Sequence, residues 1–215
     1  MIILFSNFII VSKINNELLL QTKVLRLLII DNYDSFTYNL VQLVEQAGVT
    51  DYIIVKNDEL DKINPNDFNR VLISPGPGIA REAGQLMWFL NRFYKTRPIL
   101  GICLGHEAIA ETFGAKLIPM NKPFHGIKNK ATILINDKIF NGLPITFNIG
   151  HYHSWNIDEQ TIPDEIEIIL KDEDNLNMAI RHRKYNLVGL QFHPESIMTD
   201  YGLEIIKNWL SLSSN

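Results

Sequence analysis

Short apolar runs that alternate with helix-spaced segments constrain this chain more than any other feature. Val24-Leu25-Arg26-Leu27-Leu28-Ile29-Ile30 reads as a buried strand ending at Asp31. Asp34 or Ser35 is placed to cap the next helix, in which Phe36, Leu40, Leu43, Val44 and Ala47 recur at helical spacing until Gly48 ends it. Tyr52-Ile53-Ile54-Val55 and Arg70-Val71-Leu72-Ile73 read as further strands. Leu86, Phe89, Leu90 and Phe93 mark a helix before the apolar run Pro98-Ile99-Leu100, and Ala108 to Phe113 is again helix-like. Strands linked through helices lie parallel, so the order predicts an α/β fold: a mostly parallel twisted sheet flanked by helices.

After Gly114 the texture changes. Strand-like runs at Ala131–Ile135, Ile145–Tyr152, Glu167–Leu170 and Met178–Arg181 follow one another without a strong helix, which predicts β-hairpins added to the sheet. Leu203, Ile206 and Leu210 predict a closing amphipathic helix. A chain of 215 residues with 46% hydrophobic and 20% charged side chains fits one domain, placed at 25–212, with 1–24 an apolar extension of unknown role. The net charge is −4 and no basic tract is present, which argues against nucleic acid as a partner. No apolar run reaches the roughly 18 residues that span a bilayer, so no membrane is expected. One cysteine cannot form an internal disulfide, consistent with a reducing, cytoplasmic setting.

That cysteine is the centre of Gly101-Ile102-Cys103-Leu104-Gly105-His106, between a strand and a helix. A sharp strand-to-helix turn around a nucleophile exposes it at the sheet's end, as in the G-x-S-x-G elbow. The flanking glycines are expected to permit the turn, and the helix N-terminus to favour the reactive thiolate. The bland alternative is a small buried hydrophobe. Gln191-Phe192-His193-Pro194-Glu195-Ser196 supplies a base and a carboxylate to orient it, with the strand expected to end at His193. Ser74-Pro75-Gly76-Pro77-Gly78 is either a plain turn or an oxyanion loop, in which the Gly78 and Leu104 N–H groups would face a developing oxyanion. His151 and His153 sit at i, i+2 but lack a third ligand of suitable spacing, so core or rim histidines are expected rather than a metal site; His125 and His182 take the same reading.

With these residues placed, the chain resembles the class I glutamine amidotransferases, and more narrowly the glutaminase subunits (component II) of anthranilate synthase and 4-amino-4-deoxychorismate synthase. Asp31-Asn32-Tyr33-Asp34-Ser35-Phe36-Thr37-Tyr38-Asn39-Leu40, Ser74–Gly78, Gly101–His106, Tyr152-His153-Ser154 and Gln191–Ser196 carry the resemblance, which spans about residues 25–212. It implies a flavodoxin-like class I amidotransferase fold. It implies that Cys103 attacks the side-chain amide of glutamine, that His193 and Glu195 assist proton transfer, and that a glutamyl thioester releases ammonia and then glutamate. Gly76, Pro77, Gly78, Leu104, Glu107, Ser154 and Trp155 would bind the substrate. The ammonia would pass to a chorismate-using synthase subunit (component I), which in this family lies near the Asn32–Phe36 segment. No metal or organic cofactor is implied; any Mg²⁺ would belong to the synthase.

Two positions depart from the family pattern. Glu107 stands where Gln is usual, and an ionised carboxylate accepts hydrogen bonds without donating them and opposes a nearby thiolate. His125-Gly126-Ile127-Lys128 differs where a contact between subunits is expected. Glu107 therefore motivates a second expectation, a catalytically weakened regulatory subunit. A free-standing Cys hydrolase of γ-glutamyl compounds is a third, against which the Asp31–Leu40 opening argues.

Overall fold

Every residue of the first described strand, β1 (Leu27–Asp31), is buried, because helices cover both of its faces. The computed structural model describes residues 26–120 and 123–212; the 1–24 extension and the expected strand start at Val24 lie outside them. Alternation along β1 assigns Leu27 and Ile29 to one core and Leu28 and Ile30 to the other. On the first face lie α1 (Thr37–Gln46), through Leu40, Val41 and Val44, and the closing helix α4 (Gly202–Ser211), through Ile205, Ile206 and Trp209. On the second lie α2 (Leu86–Phe93) and α3 (Leu104–Thr112); Leu86, Phe89, Leu90 and Phe93 bury the predicted face of α2.

Among the described residues the main sheet has nine strands in the order β2-β1-β3-β4-β11-β10-β9-β6-β7. Its first half is parallel: β2 (Tyr52–Lys56), β1, β3 (Arg70–Ile73), β4 (Ile99–Ile102) and β11 (Leu187–Leu190). Its second half is antiparallel: β10 (Asn177–His182), β9 (Ile166–Asp172), β6 (Ile127–Ile133) and β7 (Thr146–His151), the added hairpins. A separate ribbon pairs β5 (Leu117–Pro119) with β8 (Trp155–Ile157), which the sequence pattern does not reveal. The parallel strands all point one way, so β1, β3, β4 and β11 deliver their following residues to one end, where ligands bind in open α/β sheets.

Three local expectations need correction. Neither Asp34 nor Ser35 caps α1. Phe36 holds the cap position without a side-chain bond, and the Asp34 carboxylate is spent closing the preceding turn, accepting the Phe36 N–H at 2.7 Å. Strand β11 stops at Leu190, not at His193, because the backbone leaves the ladder there: the His193 N–H donates to Gly150 O across the β7 end. The buried face of α4 is Gly202, Ile205, Ile206 and Trp209 rather than Leu203, Ile206 and Leu210. Only glycine fits at 202, since a Cβ there would lie 1.9 Å from the Pro194 carbonyl oxygen.

Candidate active site

Strand β4 ends at Ile102 and α3 begins at Leu104, so the whole turn falls on Cys103. Its backbone sits at φ 51°, ψ −101°, a conformation that costs a non-glycine residue about 1–3 kcal/mol and needs its surroundings to hold it. The Cys103 N–H donates to Leu190 O at 2.7 Å and its carbonyl accepts the Glu107 N–H at 3.0 Å. The flanking glycines do not make the turn, contrary to expectation; they let strand and helix approach each other. A Cβ at Gly101 would lie 2.4 Å from the Gly105 carbonyl group, and one at Gly105 would meet Ile73.

The elbow brings Cys103 to a cavity of about 490 Å³, a volume typical of small-ligand pockets. Gly76, Pro77, Gly78, Glu107, Ser154 and Trp155 share that lining. Tyr33, Asp34, Ser35, His125, Tyr152 and His153 line it too. Leu104, His193 and Glu195 are not among the lining residues. Leu104 points into the core, with only its N–H turned towards the Cys103 sulfur.

His193 and Glu195 form a pair of their own. His193 Nδ1 lies 2.7 Å from Glu195 Oε1, and both side chains are buried. A carboxylate accepts only, so Nδ1 carries the proton and Nε2 is the basic nitrogen. Among the described residues Nε2 has no hydrogen-bond partner. The ring is held edge-on against Phe36 and Tyr152, at centroid distances of 5.5 and 4.8 Å. Thr199 donates its hydroxyl to the His193 carbonyl at 2.6 Å, fixing the turn. No hydrogen bond joins the His193 and Cys103 side chains.

The thiol is not the pre-formed thiolate expected from its helix position. Burial pushes the Cys103 thiol well above its usual range; Glu107, Glu195 and Asp34 push it the same way, and the Leu104 N–H only partly opposes them. Within one α3 turn the helix dipole is the smaller effect. Gln191, to which the sequence pattern assigns no role, touches this centre. Its Nε2 lies 3.8 Å from Cys103 Sγ and donates to Glu107 Oε1 at 3.1 Å. Its position next to β11, which pairs with β4, is the signal that could have found it.

Glu107 is 3% exposed, and burial pushes its carboxyl up to about 8, so it is mostly neutral at pH 7. His151 and His153 form a buried chain rather than a ligand pair: His151 Nδ1 to His153 Nε2 at 3.1 Å, and His153 Nδ1 to the Trp155 carbonyl at 2.7 Å. Burial lowers them to about 3 and about 4, which keeps both neutral. His182 lies elsewhere and accepts the Lys184 and Tyr185 N–H groups.

The sequence profile of the family Glutamine amidotransferase class-I matches residues 28–212. The chain belongs to that family. The amidotransferase is 43% identical over 187 residues to anthranilate synthase component 2 of Lactococcus lactis, covering 86% of this chain and 93% of the relative. It is 38% identical over 187 residues to aminodeoxychorismate synthase component 2 of Klebsiella aerogenes, covering 86% and 99%. The crystal structure of a Thermoplasma acidophilum protein assigned to GMP synthase superposes on it with a TM-score of 0.76 at 26% identity, covering 86% of this chain and 92% of that one. Among the described residues no helix of the amidotransferase is long and apolar enough to cross a membrane.

Proposed function

We infer that this amidotransferase is the glutaminase subunit of a chorismate-using synthase, and that Cys103, His193 and Glu195 carry its chemistry. The observation that carries the reading is the strained Cys103 elbow opening into the cavity, with a His–carboxylate pair whose Nε2 is free at the same end of the sheet. Because the resting thiol is held protonated, the base is essential. His193 Nε2 takes the Cys103 proton as sulfur attacks the amide carbon of glutamine. The Gly78 and Leu104 N–H groups face the oxyanion. His193 then returns the proton to the amide nitrogen, the C–N bond breaks, and ammonia leaves a γ-glutamyl thioester. Water, deprotonated by His193, cleaves the thioester to glutamate and free Cys103. Glu195 holds the imidazole in the required tautomer throughout.

The names of its relatives support delivery of that ammonia to a component I subunit that makes anthranilate, for tryptophan, or 4-amino-4-deoxychorismate, for folate. A weakened regulatory subunit is disfavoured: a neutral Glu107 donates as well as accepts, as Gln would. With the synthase partner present, Cys103→Ser should lose glutamine-dependent synthesis and keep synthesis from added ammonium. Retention of glutamine use by that variant would reject Cys103 as the nucleophile.

A further inference from the structure

The sulfur that attacks does so as an anion, and its surroundings offer little to stabilise one. Glu107, Glu195 and Asp34 push the Cys103 thiol up, as burial does. Among the described residues lining the cavity none is Lys or Arg. A thiolate here therefore depends on N–H donors that reach it. Two do: the Leu104 backbone N–H at the start of α3, and the side-chain amide of Gln191.

Gln191 is held in place from both sides. Leu190 pairs with Ile102 in the β4–β11 ladder, so Gln191 and Cys103 stand side by side one step beyond it. The Gln191 backbone N–H donates to Met178 O on β10 at 2.9 Å, and the Cys103 N–H donates to Leu190 O at 2.7 Å. The Gln191 side chain is fully buried. Its Nε2 carries two hydrogens. One serves Glu107 Oε1 at 3.1 Å, and the other serves Cys103 Sγ at 3.8 Å. Its Oε1 is buried with no partner among the described residues. An orphaned carbonyl oxygen costs stability, so the amide is not oriented for its own hydrogen bonding.

We propose that Gln191 is a catalytic residue whose side-chain N–H donates to the Cys103 thiolate. This rests on the reading of Cys103 as the nucleophile. As His193 Nε2 takes the proton, the electron pair stays on sulfur. The Gln191 N–H then passes from a weak neutral acceptor to a charge-assisted hydrogen bond. Acylation removes the charge and weakens that bond; cleavage of the thioester restores it. The stabilisation falls on the ionised sulfur, which raises the rate rather than only the binding. Glu107 acts one step back: by accepting the second hydrogen it keeps nitrogen, not oxygen, towards the sulfur. The reverse orientation would set Oε1 against the sulfur and oppose ionisation, so the two orientations give effects of opposite sign.

Cys103 is the chain's one cysteine, so alkylation by iodoacetamide reads its thiolate without glutamine or a partner. Gln191→Leu removes the amide at similar volume, and the orphaned oxygen with it. The titratable groups near the sulfur, Glu107, Glu195 and Asp34, and those along the cavity, Tyr33, His125, Tyr152 and His153, are common to both chains. Loss of a hydrogen bond to a charged group is worth about one unit of thiol titration. Below the midpoint that lowers the thiolate fraction about tenfold, while the more basic thiolate reacts about threefold faster. Alkylation at pH 8 should therefore slow about threefold in a chain that urea unfolding shows to be folded. With the synthase partner present, kcat for glutamine should fall at least about threefold with KM little changed. Should Gln191→Leu not fold, Gln191→Met, unbranched like Gln, takes its place. An unchanged alkylation rate, or a faster one, overturns the proposal and leaves Cys103 as the nucleophile. Glutamine use retained by Cys103→Ser overturns both.

Discussion

Replacing Glu107 with Gln should stabilise the ligand-free protein, by an amount that grows with pH. The folded protein holds the Glu107 proton up to about 8, while the unfolded chain loses it near 4.5. Between those values the folded state binds more protons, so stability is fully present below about 4.5 and declines as pH rises towards 8. Each unit of that interval is worth about 1.4 kcal/mol. The decline is therefore on the order of 3 kcal/mol by pH 7 and on the order of 5 kcal/mol above pH 8. Gln keeps the shape and can still accept the Gln191 N–H, but carries no proton to lose. Urea unfolding of both chains at pH 5, 7 and 9 measures the difference, because every other titrating group is common to both. The advantage of the Glu107→Gln chain should be below about 1 kcal/mol at pH 5 and exceed about 2 kcal/mol at pH 7. A difference that is constant from pH 5 to 9 would refute the claim that burial holds this carboxyl neutral.

Gly101→Ala drives a Cβ into the Gly105 carbonyl group, and both backbones are fixed, so a loss of about 3 kcal/mol is expected in chemical denaturation. Gly202→Ala presses on the Pro194 carbonyl and should shift the His193–Glu195 turn. It should lower glutamine-dependent synthesis much more than ammonium-dependent synthesis, and equal losses would count against that route. Glu195→Gln keeps the volume but removes the charge that orients His193, so kcat for glutamine should fall at least about 10²-fold with KM little changed. An unaltered kcat would exclude Glu195 from its assigned role.

How much of this could be read in the sequence depended on the range of the interaction. Strand β3 and the buried face of α2 follow from local periodicity and match the reading residue for residue. The position of the Cys103 elbow was equally plain, since glycines at fixed spacing mark where a strand and the following helix pack closely. The face of α4 was not, because two sets of apolar residues share helical spacing there. Contact of Gly202 with the Pro194 turn decides between them, and that contact is tertiary. Gln191 reaches Cys103 across 88 residues of sequence through the β4–β11 pairing, so no local pattern announces it. The state of the thiol escapes a sequence reading for a related reason: the helix N-terminus is visible in the sequence, while the burial and the three carboxyl groups that outweigh it are not.

Everything proposed for this cavity depends on Cys103 becoming acylated by glutamine with His193 as the base. Rapid acid quench of the protein mixed with glutamine, with the synthase partner and chorismate present, followed by mass spectrometry of the Cys103 peptide, looks for that acyl group itself. A γ-glutamyl adduct on Cys103 should form before glutamate accumulates, and it should be lost in His193→Ala. Steady glutamate release with no adduct at any time, or undiminished adduct in His193→Ala, would contradict the mechanism.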